Sequence, residues 1–258
     1  MTLRSDVPLS RATLSDGRSR AARMEPDAGS SGRLFRALWG IDFEASPGVE
    51  RIRVEAVGRC GDAHATGRNV RVARGRFPVQ SLTVDPAFVE PPPEERERIE
   101  REREEVARVW SRPPGERRWD SGFRLPVAAP LRANFGARRI FNGRPRSRHN
   151  GVDLAADTGA PVAAPAPGTV ALARSLYFSG GTVILDHGDG LFTTYFHLSR
   201  IDVAAGDTVR TGDSLGAVGA TGRATGPHLH WGARLNGARV DPADLQSLPR
   251  WPLRGNEP

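Results

Sequence analysis

Hydrophobic residues along this chain come in short runs, and glycine or proline closes most of them. "RIRVEAV" alternates Ile52 and Val54 with charged neighbours, the period-2 pattern of a half-buried strand. "LWGIDF", "NVRVARG" and "SLTVDP" are of the same kind, which predicts a small β-domain over 33–92. "PPPEERERIEREREEVARVWSR" breaks the pattern. Its prolines can open a helix, and Glu94–Arg98, Glu97–Arg101 and Glu104–Arg108 are spaced four apart. Ile99, Val106, Val109 and Trp110 fall near one face, so 93–112 is expected as a connecting α-helix held by one narrow apolar stripe. That seam is too sparse for a coiled coil. Residues 113–125, with "SRPPGERRWDSG" leading in, read as a linker.

Short β-branched runs between Gly turns then return in "GGTVILDHGDGLFTTYFHLSRIDV" and "GDTVRTGDSLGAVGATG". They predict a mainly β chain whose second unit, over 126–245, packs two sheets, with 246–258 as a tail. The first 32 residues carry charge but no apolar block, and read as a disordered leader without the hydrophobic region of a secretory signal.

Composition narrows the partners. The net charge is +7, yet every basic residue is arginine, a bias that points to coding composition rather than to a nucleic-acid surface. No helix-turn-helix, zinc-finger or RNP pattern accompanies it, so no nucleic-acid partner is expected. A single cysteine, Cys60, allows neither an internal disulfide nor a cysteine metal site. No apolar run approaches the roughly 18 residues that cross a bilayer.

Five of the six histidines lie in the C-terminal half. In "PHLHWG", His228 and His230 would share one face of a strand, which suits a metal ligand beside a catalytic base and equally suits a solvated polar pair. In "RHNGVDL", His149 and Asp153 flank Gly151, which lets the backbone bring both side chains to one ion. Imidazole and carboxylate are good zinc ligands, and catalytic zinc typically takes three from the protein. His149, Asp153 and one of His228 and His230 fill that count. His197 in "TTYFHLS" becomes an acid/base candidate in this company. His187 reads as a structural residue at a hairpin, and His64 as an exposed loop residue. Arg138, Arg139, Arg144, Arg146 and Arg148 precede His149 and form either a carboxylate-attracting group or a solvated basic loop.

"HNGVD", "APVAAPAPGTV", "VILDHGDGLFTTYFHLS" and "VAAGDTVRTGDSLGAVGATGRATGPHLHW" occur in that order, and over 126–245 the chain resembles the lysostaphin-type (LytM-type) zinc metallopeptidases. The resemblance implies a compact antiparallel β-fold, sandwich- or barrel-like, with an active-site groove. It implies one Zn2+ held by His149, Asp153 and His230, with His197 and His228 as the catalytic pair and the general base undecided between them. It implies cleavage of peptide cross-links in peptidoglycan. "FGARRIFNGRPRSRHNGVD" is similar to the proteobacterial-type subgroup, which favours a D-alanyl–diaminopimelate bond over glycyl–glycine. The region before the helix resembles the N-terminal β-domain of that subgroup, with its first strands missing or replaced by the leader. The substrate class implies a periplasmic or cell-envelope location and allows a protein activator or regulator as partner. The alternative is a non-catalytic or latent wall-binding protein that activates another murein hydrolase.

Overall fold

The computed structural model describes residues 1–16, 20–27 and 30–251. Twenty strands and one α-helix follow each other along these residues. The N-terminal lobe holds β1 (Thr2–Arg4), β2 (Leu9–Ser15), β3 (Ala21–Pro26), β4 (Leu34–Arg36), β5 (Gly48–Gly58) and β6 (Ala63–Val72). They form one antiparallel sheet in the order β1-β4-β3-β2-β5-β6. Its inner face buries Leu9, Leu14, Met24, Phe35, Ile52 and Val54.

The disordered leader expected over 1–32 is therefore corrected, since β1, β2 and β3 lie within it and supply the first strands thought to be missing. These strands bury small residues such as Ala12 and Ala22 and carry arginine outward, so they lack the apolar block that marks a strand by eye. Residues 17–19 and 28–29 of that stretch, and 252–258 of the expected tail, lie outside the described residues. "LWGIDF" is corrected as well, because it is not a strand. It lies in the loop from β4 to β5, which docks on the second lobe, where Arg239 holds the Asp42 carboxylate with two bonds of 2.8 and 2.9 Å. Gly40 there lies so close to the second lobe that a Cβ would come within 2.8 Å of the Leu235 carbonyl oxygen.

β7 (Val79–Leu82) leaves the first lobe and pairs in parallel with β9 (Arg138–Phe141), beyond β8 (Leu131–Arg132) in the chain. β10 (Arg144–Arg148) completes that three-stranded sheet. The helix α1 (Arg96–Trp110) follows a short 3-10 turn at Pro93–Glu95. Ile99 and Val109 are buried, and Val109 joins Leu172, Ile184 and Phe192 in a satellite core. Arg98 pairs with Glu102 at 2.9 Å and Glu95 at 3.3 Å instead of with Glu94, and Glu102 also accepts from the Tyr177 N–H. The expected linker after the helix is packed: Trp119 and Phe123 enter the main core, and Trp251 of the expected tail stacks edge-on against Trp119.

The C-terminal lobe adds β11 (Gly151–Leu154), β12 (Pro161–Ala163), β13 (Gly168–Leu176), β14 (Gly180–Asp186), β15 (Leu191–Leu198) and β16 (Arg200–Ile201). β17 (Thr208–Val209), β18 (Ser214–Ala217), β19 (Leu229–Leu235) and β20 (Ala238–Val240) complete it. The main sheet runs β17-β13-β14-β15-β19-β11-β8, with β20 also on β19, and the small sheet β12-β18-β16 covers it. Between them lie Val152, Leu154, Val183, Leu185, Tyr195 and Trp231, each fully buried. The chain is mainly β with curled antiparallel sheets, and among the described residues no helix is long and apolar enough to cross a membrane.

Candidate active site

Two neighbouring strands bring three of the candidate residues together. β11 and β19 pair so that Asp153 faces His230 directly, and paired residues project to the same side of a sheet. His149 stands in the short connection from β10 to β11, pinned because its N–H donates to the Ala137 carbonyl and its own carbonyl accepts from Gly136 N–H. The His149 Nε2 lies 2.8 Å from His230 Nδ1 and 3.1 Å from Asp153 Oδ1, and His230 Nδ1 lies 3.3 Å from the same oxygen. Gly151 makes this approach possible, because a Cβ there would meet the Trp231 carbonyl oxygen at 2.3 Å and His230 Nε2 at 2.7 Å.

The other two histidines border the same place. His228 precedes β19, two residues before His230 on the same side, with Nε2 3.6 Å from Asp153 Oδ1. His197 arrives by a different device. Phe196 pairs with His230, so regular alternation would turn His197 to the opposite, core-facing side with Tyr195. The β14–β15 register shifts between Gly181 and Val183, and His197 takes φ +66°. This bulge, in a conformation that non-glycine residues seldom adopt, re-aims the ring toward His228, with ring centroids 4.8 Å apart.

Backbone carbonyls, which can only accept, fix the tautomers. His149 Nδ1–H donates to the Asn134 carbonyl at 3.0 Å, His197 Nδ1–H to Thr221 at 2.8 Å, and His228 Nδ1–H to Gly226 at 2.8 Å. Each Nε2 is left with a lone pair directed away from its anchor. The Gly-rich loop before "HLH" thus supplies both carbonyls that orient His197 and His228. Burial lowers His197 to about 4, assisted by nearby His228, and burial lowers His230 to about 3, so both rings are neutral near pH 7. Burial works to raise the Asp153 carboxyl, but the His149 and His230 rings against it overcome that and hold it well below the usual range.

Two further residues brace Asp153. Asn134 Nδ2 donates to Oδ2 at 2.8 Å, and Asn134 Oδ1 accepts from the Asp153 N–H at 3.2 Å. Arg139 donates to the same Oδ2 at 2.9 Å. Asn134 carries no spacing signal, since it reaches Asp153 only through the fold. Arg139 is one of five arginines that the sequence offers as a group; the Arg146 side chain lies outside the described residues, and the fold separates the other four. Arg144 pairs with Glu90, Arg148 approaches Glu44 at 3.8 Å, and Arg138 is exposed. His187 is fully buried, bonded to the Pro167 carbonyl and Thr193 at 2.7 Å each, away from this site. His64 lies on β6, exposed beside Asp62.

The donor set fits a zinc ion. Ligand atoms 2.0–2.2 Å from a tetrahedral centre stand about 3.3–3.6 Å apart. The three observed separations, 2.8, 3.1 and 3.3 Å, approach that triangle. Without a cation, an acceptor-only imidazole nitrogen, a carboxylate oxygen and a second ring nitrogen crowd one point, while His230 Nε2 is buried without a hydrogen-bond partner. His149, Asp153 and His230 form the one such cluster found among the described residues. A cleft of about 200 Å3 opens beside it, lined by Asn134, Asp153, Thr225 and His228 and walled by Gln80 and Leu82 of β7.

Comparison with known proteins gives consistent results. The profile of peptidase family M23 matches residues 147–242. A crystal structure of a putative peptidase M23 from Pseudomonas aeruginosa superposes with a TM-score of 0.70 at 31% identity, covering 95% of this chain and 91% of that one. The DD-carboxypeptidase/endopeptidase Mpg of Neisseria meningitidis is 44% identical over 97 residues, 38% of this chain and 22% of that protein. The peptidoglycan DD-endopeptidase ShyA of Vibrio cholerae is 39% identical over 121 residues, 46% of this chain and 28% of that protein. The chain thus matches less than a third of the length of these curated relatives.

Proposed function

The chain belongs to peptidase family M23, and we propose that it is a zinc-dependent endopeptidase cleaving peptide cross-links of peptidoglycan in the cell envelope. The observation that carries this reading is the convergence of His149 Nε2, Asp153 Oδ1 and His230 Nδ1, with the imidazoles of His228, which lines the cleft, and of His197 beside them. The name of the Vibrio relative, a peptidoglycan DD-endopeptidase, supports the substrate class, and that of the Neisseria relative, a DD-carboxypeptidase/endopeptidase, supports the reaction.

In this reading His149, Asp153 and His230 hold the zinc. When bound, zinc polarises a scissile carbonyl and acidifies water. His197 and His228, both anchored through Nδ1–H with ring centroids 4.8 Å apart, offer Nε2 lone pairs beside the proposed metal position. One accepts the proton of the attacking water, and the other donates to the developing oxyanion once protonated. The low value of His197, about 4, favours its starting neutral. Asn134 and Arg139 hold the carboxylate so that Oδ1 faces the metal position. The alternative, a non-catalytic activator, is not favoured, because it would have no use for five such residues in one place.

The test is mass spectrometry of muropeptides after isolated sacculi are incubated with the protein, with zinc, with chelator, and with His230→Ala. Zinc-dependent loss of cross-linked dimers, absent in the variant, is the expected result. Intact sacculi in the presence of a zinc-loaded protein would sink the proposal. His197→Ala and His228→Ala should each keep zinc and lose turnover by a factor of at least about 100.

A further inference from the structure

Arg132, Arg139 and Arg223 line the cleft beside Asp153 and His228. Arg139 is committed to Asp153 Oδ2, and the Arg223 guanidinium lies over the rings of Phe141 and Phe178, at 4.7 and 4.9 Å. Arg132 is exposed, and its side chain makes no hydrogen bond or ion pair among the described residues. It is also the direct cross-strand partner of Asp153 on β8, as His230 is on β19. Paired residues share a face with Cα atoms about 4.5–5.5 Å apart. A ladder Phe196–His230–Asp153–Arg132 therefore crosses the sheet and ends in an unpaired cation one strand from the metal ligands.

A guanidinium fork left open at that distance suits a carboxylate. We infer that Arg132 binds a free carboxylate on the residue that supplies the amine of the scissile bond, and so selects substrates whose leaving residue carries that charge. The inference rests on the proposed peptidase reading and narrows its substrate class. In a D-alanyl–diaminopimelate cross-link, the carbon bearing the acylated amine also bears a free carboxylate. A terminal D-amino acid, as a carboxypeptidase would release, presents the same group in the same place. A glycine bridge does not, because its next carbonyl is already an amide. One subsite would thus accept the first two bonds and discriminate against the third.

Two probes test this on the full chain loaded with zinc. The first compares kcat/KM for muropeptide dimers with the diaminopimelate carboxylate at the cross-link free or amidated. Wild type should prefer the free acid by about tenfold or more, the scale of a charge-assisted hydrogen bond. In Arg132→Gln, a change at an exposed position that removes the charge and the guanidinium fork, the ratio should fall toward unity, mainly through KM. Equal cleavage of both substrates by wild type, or an undiminished preference in the variant, would overturn the inference while leaving the peptidase reading intact. If wild type cleaves neither dimer, the peptidase reading fails, and binding decides the role of Arg132. N-acetyl-D-alanyl-D-alanine should then bind more tightly than its C-terminal amide by calorimetry, and Arg132→Gln should erase that difference. No preference for the acid refutes the role.

Discussion

Replacing Asn134 with alanine separates support of the proposed metal ligands from ligation itself. Asn134 is buried and touches the site in three ways. Its amide donates to Asp153 Oδ2, its side-chain oxygen accepts from the Asp153 N–H, and its backbone carbonyl accepts from His149 Nδ1. Alanine removes the first two and keeps the third. The Asp153 N–H is then buried without that acceptor, and Oδ2 keeps Arg139 as its donor. Outer residues that orient metal ligands are worth about 10–100-fold in affinity, roughly 1.4–2.7 kcal/mol. Two of the contacts to the ligands survive here, so the loss should lie nearer tenfold. Competition for zinc against a chromogenic chelator at neutral pH measures it directly, with circular dichroism to confirm the fold. A variant that folds as wild type does and binds zinc with unchanged affinity would refute the reasoning.

Other outcomes follow from the same geometry. Gly151→Ala would force β11 from β19 or displace the His230 ring, so it should destabilise the protein by about 1–3 kcal/mol and weaken zinc binding, read by thermal melts with and without metal. Zinc at 100 times its dissociation constant should add about 2.7 kcal/mol of stability, and a chelator should remove it, so an unchanged melting temperature would contradict a site on the folded chain. Burial, with Glu25 nearby, raises the Asp189 carboxyl from 3.8 to about 6. The stability it contributes is complete below pH 3.8 and lost as the pH rises through about 6, at most about 3 kcal/mol. Asp189→Asn should flatten the stability profile across that window, and a variant with the wild-type slope would count against it.

The second lobe was legible because its texture is repetitive: short β-branched runs, Gly turns, and histidines at spacings that a strand turns into shared faces. The spacing of His228 and His230 gave their common side without further information, and the fold brings His149 and Asp153 to the same point. The sequence could not show how His197 reaches the site, because strict alternation places it with Tyr195 and only the bulge reverses it. Asn134 escaped for a related reason, since its bonds to Asp153 and His149 depend on how the loop after β8 returns. β1 to β3 were missed because their buried face is built from alanine with a few larger residues, and arginines occupy the positions between. Trp119, Phe123 and Trp251 were assigned to linker and tail because their neighbours are polar, although all three are buried.

The parallel pairing of β7 with β9 ties the history of folding to the architecture. The whole helix and the segment after it lie inside the loop that this pairing closes, so the ladder can form only after a long-range search and should be among the later steps of folding. It also means that the covalent order of the chain is a poor guide to where it can be divided. A protease cutting between α1 and Trp119 would leave two fragments still sharing a sheet, with no free peptidase lobe released. A shortened chain beginning after β7 would expose the open edge of β9, with unpaired N–H and C=O groups ready to recruit another strand, so its first failure would be self-association rather than loss of the proposed zinc ligands.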